Sequence, residues 1–176
     1  MKINGPFNND KKITSYLIKG GLLIDPYKKK IEKKDILIKN KIIESIKDDI
    51  PTNDKDVHVL NCEKLYVCPG LVDMRVNLGE PGFEHKETIK SACMSAASGG
   101  VTSLISMPNT MPAIDQPAII QSIQRKAREV ALSKVFCTGC ITRGAEGKEI
   151  SELQLMNESG AVGFTDGNKS VSNARV

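Results

Sequence analysis

The chain has 176 residues, 40% hydrophobic and 26% charged, with a formal net charge of +4, the composition of a soluble globular domain with a core of its own. Trp is absent and aromatics reach only 4%, which argues against an aromatic platform for nucleic acid. The positive excess lies in residues 1–66, with 14 Lys and no Arg against 10 acids, while residues 67–176 balance at 11 of each sign; a solvated face biased toward Lys, Ile and Asn accounts for it better than a nucleic-acid patch does.

Residues 1–14 read as a disordered start: Met1 to Lys12 is polar, and no apolar signal core follows. No apolar run approaches the roughly 18 residues that span a bilayer, so neither a membrane nor a nucleic acid is expected as a partner. Five Cys without an export signal predict reduced thiols and a cytoplasmic protein.

Residues 15–66 read as a β-rich module of hairpins, a composite-sandwich-like unit. Tyr16–Ile18 leads to Gly20-Gly21 and then Leu22–Ile24; Asp25-Pro26 is a turn, and Asp35–Ile38 and Lys41–Ile43 flank a second turn signal at Lys39-Asn40. Val57, Val59 and Leu65 supply further strand material.

The rhythm changes at residue 67. Tyr66 to Met74 begins a buried strand region, and a polar loop runs from Gly79 to His85. Lys86 to Ser98 reads as a helix stopped by Gly99-Gly100. Val101–Ser106 is an apolar strand, followed by a loop from Met107 to Pro112. Asp115 can cap a helix running through Ala131, with Pro117 in its first turn; Ile119, Ile120, Ile123, Ala127 and Val130 form its packing face. Val135–Cys137 is the next strand, Glu149 to Ser159 a third helix ended at Gly160, and Ala161–Phe164 a fourth strand. Strand and helix in alternation predict parallel β/α units. A closed (β/α)8 barrel takes about 250 residues, whereas residues 67–176 number 110. The expected fold class is therefore α/β: a small β-rich module, then an incomplete TIM-type barrel of about half its strands.

Five stretches carry a family resemblance: Cys68-Pro69-Gly70-Leu71-Val72-Asp73-Met74, Glu80 to Ile89, Gly99-Gly100-Val101-Thr102, Met107-Pro108-Asn109-Thr110, and Ala161 to Asp166. In order and spacing the chain resembles the N-terminal portion of the longer dihydroorotases of the amidohydrolase superfamily. The Glu80–Ile89 stretch is the most specific; the Pro-Gly-Leu-Val-Asp run is shared with hydantoinases and allantoinases. The resemblance implies a zinc-dependent cyclic amide hydrolase of pyrimidine biosynthesis whose first barrel strand carries His-x-His-x-Arg. Alternate residues on a strand share a side, so the two imidazoles reach one metal, and the Arg can hold a substrate carboxylate.

Here those three positions are Arg75, Asn77 and Gly79. Arg75 has no lone pair to donate, and a unit charge about 4 Å from a dication, at an effective dielectric of about 20, is unfavourable by roughly 8 kcal/mol before the side chain moves. Asn77 offers a weak ligand, and Gly79 offers no side chain. Two family positions are matched: Asn109, which the resemblance implies as substrate-binding, and Asp166, a metal-ligand position that is vestigial without partners. A turn role beside Pro108 remains open for Asn109, and a cap or loop carboxylate is the favoured alternative for Asp166.

His58 and His85 form no metal spacing. Cys137-Thr138-Gly139-Cys140 lies at the end of a strand rather than a helix N-terminus, so buried core thiols are expected there. No phosphate loop or nucleophile triad appears.

The expectation is a dihydroorotase-like protein that is catalytically inactive as it stands, with no catalytic residue and no cofactor. The alternatives are a truncated or decayed remnant of an active zinc dihydroorotase, a non-catalytic structural partner of aspartate transcarbamoylase, and one segment of an enzyme completed by another polypeptide. Self-association through the open barrel side is a further expectation.

Overall fold

The computed structural model describes residues 15–52, 54 and 56–176; the start read as disordered lies outside them. The chain forms two compact units that divide between Pro69 and Gly70.

The first unit is a five-stranded sheet. Strands β1 (Ser15–Asp25), β2 (Lys30–Lys39), β3 (Ile42–Lys47) and β4 (Val57–Asn61) lie in the order β3-β2-β1-β4, and β5 (Tyr66–Val67) also pairs with β1. The β1–β2 and β2–β3 pairs are antiparallel, while β4 and β5 run parallel to β1. Asn40 and Lys41 both take positive φ, 49° and 66°, the geometry of a two-residue hairpin link that matches strand twist. Leu17, Ile36 and Ile50 are buried.

The Gly20-Gly21 pair does not separate two strands. It is a bulge inside one, where the register with β2 shifts between Ile18 and Gly21. Gly20 sits at φ +72°, and a Cβ on Gly21 would fall 2.5 Å from Val67 Cγ2. The bulge frees the Gly20 amide, and the buried Asp35 carboxylate receives it at 2.8 Å. The same carboxylate accepts from the Ile50 amide at 2.9 Å and from Lys19 Nζ at 2.9 Å. A polar tie thus fixes this irregularity of the sheet.

The second unit alternates strand and helix: β6 (Leu71–Val76), α1 (Ile89–Ser98), β7 (Val101–Ser106), α2 (Pro117–Val130), β8 (Lys134–Gly139), α3 (Leu153–Glu158) and β9 (Ala161–Phe164). The four strands are parallel in the order β6-β7-β8-β9. Leu78, Ile89, Cys93, Leu104, Ile120, Ile123, Cys137 and Met156 form the core between sheet and helices. The α/β class stands, with a β-rich sheet followed by a parallel β/α sheet. Among the described residues no helix is long and apolar enough to cross a membrane.

Several boundaries differ from the sequence reading. Helix α1 starts at Ile89, not Lys86, because Thr88 caps it: the Thr88 hydroxyl accepts from Ser91 N, and Ser91 Oγ accepts from Thr88 N. Asp115 caps nothing. Gln116 holds the N-cap position of α2 without a side-chain bond, while Asp115 Oδ2 accepts from Gly144 N at 2.9 Å. Ala131 has left the helix at φ +53°. Helix α3 starts at Leu153 because its expected first turn is used elsewhere: Glu149 O accepts from Arg143 N, and Ser151 N donates to Ile141 O.

Strand β6 is present but not buried. Leu71, Val72 and Met74 are 55%, 59% and 72% exposed, because β6 is an edge strand that pairs on one side only with β7. Phe136 and Val162 are also exposed. They alternate with the buried Val135, Cys137 and Ala161, so the sheet face away from the core is open.

Candidate functional site

The C-terminal ends of the four parallel strands and the loops that leave them enclose a cleft of about 660 Å³. Parallel β/α sheets place ligands at this end, where loops vary over a fixed scaffold. Four of the positions singled out in the sequence meet there: Arg75 from β6, Asn77 just beyond it, Asn109 after β7 and Asp166 after β9. Gly79 does not line the cleft.

Arg75 Nη2 donates to Asn168 Oδ1 at 2.9 Å, joining the end of β6 to the loop after β9. The side chains of Asn77 and Asn109 make no hydrogen bond among the described residues. Gly79 is more than a missing side chain. It sits at φ +69°, and a Cβ there would meet Glu87 O at 2.6 Å and Phe83 O at 3.0 Å. The turn closed by Phe83 N on Gly79 O has taken the space an arginine stem needs.

Asp166 is buried, and both its oxygens are engaged by one residue. Oδ1 accepts from Thr142 N at 3.0 Å and Oδ2 from Thr142 Oγ1 at 2.6 Å. Thr142 Oγ1 in turn accepts from Gly147 N at 2.8 Å. Sequence reasoning missed Thr142; the only signal was its place at the start of the loop two residues after Cys140. It also missed Glu80, whose Oε2 accepts from Ile89 N at 3.0 Å at the start of α1 and whose other oxygen pairs with Lys126 of α2. That tie fixes the cleft-side loop to two helices.

None of the remaining candidates lines the cleft. His58 stacks edge-on with Tyr16 in the first unit, and His85 lies edge-on to Phe83. Cys137 and Cys140 are free, buried thiols, both pushed up to about 12 by burial, which makes them poor nucleophiles and poor ligands.

The resemblance raises the question of zinc, and the residues present do not fit it. Among the described residues no group of three or more His, Cys, Asp or Glu side chains could hold a metal ion. The two positions that would supply imidazoles, Arg75 in β6 and Asn77 just beyond it, carry a guanidinium and an amide, and Asp166 is already committed to Thr142.

A parallel β/α sheet with its cleft at the strand C-termini, preceded by a small β module, is the N-terminal arrangement of an amidohydrolase barrel. The L-hydantoinase (dihydropyrimidinase) of Arthrobacter aurescens superposes with a TM-score of 0.73 at 23% identity, over 86% of this chain and 32% of that one. A dihydroorotase structure superposes at 0.55 and 14% identity, over 86% and 42%. The Dihydro-orotase-like family model matches residues 63–176, and this chain belongs to that family. It is 41% identical over 160 residues to the dihydroorotase of Caldicellulosiruptor saccharolyticus and 37% identical over 160 residues to that of Aquifex aeolicus; in both cases the match covers 91% of this chain and 37% of the relative. The chain thus spans a little over a third of the length of these relatives.

Proposed function

We propose that this chain is a dihydroorotase-like protein of pyrimidine biosynthesis that does not itself open or close the dihydroorotate ring. The observation that carries this reading is the triple exchange at Arg75, Asn77 and Gly79. Zinc in such a site lowers the pKa of a bound water and polarises the amide. A guanidinium among the ligand positions opposes that ion's binding, and the backbone around Gly79 leaves no room for a carboxylate-holding arginine. The test is turnover of dihydroorotate and of carbamoyl aspartate by the full chain with zinc supplied. No rate above a zinc-only control is expected; a clear rate that Asp166→Asn abolishes would overturn the reading.

A second reading gives the protein a structural role, with aspartate transcarbamoylase or a further copy of itself as the partner. The open sheet face favours it: Leu71, Val72, Met74, Phe136 and Val162 are exposed on the second unit, and contiguous apolar patches of more than a few hundred Å² mark interfaces. Sedimentation at tens of micromolar checks it. Self-association, or co-sedimentation with aspartate transcarbamoylase, is expected; a monomer that ignores the enzyme would contradict it.

A further inference from the structure

We infer that the first unit carries a docking edge for a second copy of this chain: two β3 strands pair antiparallel about a twofold axis and join their sheets into one. The surface belongs to the first unit alone, so the inference does not rest on the open face of the second unit.

Among the described residues β3 pairs with β2 alone, so its outer row of N–H and C=O groups has no partner strand. The opposite edge is blunted. It is split into β4 and the two-residue β5 by a turn that Leu65 N closes on Cys62 O at 2.9 Å. Strand β3 instead runs for six residues and exposes Ile42, Ile43 and Ile46 at 69%, 58% and 46%. Its register with β2 shifts between Leu37 and Ile38, which makes Glu44 an extra residue. Ile43 and Ile46 therefore share a sheet face although they are three apart, opposite Ile38 and Ile36. These four line an aliphatic groove of about 370 Å³ with Ile18 and Val67. Apolar side chains on an unpaired edge are a feature that sheets suppress unless the edge is used.

The partner that fits this edge is its own copy. Residues 41–48 hold Lys41 and Lys47 against Glu44 and Asp48. That stretch is neutral, while residues 1–66 hold 14 Lys against 10 acids, so two β3 strands meet without the repulsion expected elsewhere on the lysine-rich module. The order of residues is also self-complementary. With the axis between Glu44 and Ser45, Ile43 lies against Ile46 of the second copy and Lys41 against Asp48 of the second copy, and symmetry makes each contact twice. The two bulges then meet at the axis. Lys41 makes no ion pair among the described residues. The Asp48 side chain is 88% exposed and engages Lys34 through Oδ1 only. Lys47 falls opposite Ile42, where its stem covers the exposed side chain. A parallel partner strand would lose both repeated pairs.

The experiment is sedimentation of the full chain across the micromolar range, with hydrogen exchange followed at residues 42–47. Self-association is expected, and exchange at residues 42–47 slows as concentration rises. Ile43→Lys is expected to weaken association about tenfold or more. Lys41→Glu and Asp48→Lys are each expected to weaken it severalfold, and the two together to restore it. Thermal unfolding of each variant confirms that it is folded, and the charge swap tests the edge independently should Ile43→Lys unfold. Val162→Lys, on the second unit, is expected to leave the protection of residues 42–47 unchanged. A monomer throughout, or exchange at residues 42–47 that ignores concentration, overturns the inference. So does a double charge reversal that associates no better than either single one. Association lost in Val162→Lys but kept in all the β3 variants overturns it and leaves the open face of the second unit as the contact.

Discussion

The Arg75 guanidinium reaches Asn168, 93 positions further along the chain, at 2.9 Å. The contact joins the first strand of the parallel sheet to the loop that follows the last, and both residues line the cleft. In a zinc amidohydrolase this space between strand ends belongs to the metal and its ligands; here a cation and its amide partner fill it. The exchange is not confined to one residue, because Gly79 and Asp166 have also settled into local structure of their own.

Gly79 shows how firmly. Its positive φ and the 2.6 Å approach of Glu87 O to any Cβ make even alanine costly. Gly79→Ala is expected to lower stability by about 1–3 kcal/mol, and Gly79→Arg by at least as much. Urea unfolding measures both. A neutral Gly79→Arg would show that the loop can yield its space to an arginine.

Asp166 and Thr142 form a buried pair with two hydrogen bonds. Asp166→Asn and Thr142→Val are each expected to cost about 1–3 kcal/mol, the penalty for leaving a buried polar group short of a partner. The double variant is expected to cost less than the sum. Additive losses in a double-mutant cycle would mean that the two side chains act separately.

The tie at Asp35 predicts an acid-sensitive first unit. Burial alone pushes this carboxyl up, but the bonds from Lys19, and then from the Gly20 and Ile50 amides, together outweigh it and hold it below the ordinary aspartate value of 3.8. A depressed folded pKa stabilises the fold in full above the unfolded value, and that contribution is lost as pH falls below 3.8 through the lower folded one. Asp35→Asn is therefore expected to lower the melting temperature at pH 7 and to flatten its decline toward pH 3. Parallel pH profiles of the wild type and the variant would contradict this.

Much of the scaffold was legible in the residues. Val101–Ser106 was bounded by Gly100 and the Met107-Pro108 loop, and the strand found has those same ends. Ala161–Phe164 was equally clear after Gly160. The four candidate positions that meet in the cleft followed from motif order. Several misses share one cause: a local signal was overridden by a contact distant in sequence. Gly20-Gly21 looks like a strand break until Asp35 and Val67 are placed beside it. Asp115 is a good cap by type, yet Gly144 claims its carboxylate. Thr142 has no motif, and its role depends on a partner 24 residues away. The exposure of β6 could not be read from its apolar composition, because composition does not say which faces a neighbour will cover.

The central claim is that a guanidinium stands where a zinc ligand would. Zinc per chain, by elemental analysis after saturation and dialysis against micromolar free metal, tests it most directly. Well under one equivalent is expected, unchanged by Asp166→Asn. If zinc is retained but lost in a Cys137→Ser, Cys140→Ser variant, the ion sits with the thiols and the claim for the cleft holds. One tightly held equivalent that survives the cysteine changes and disappears with Asp166→Asn would contradict it.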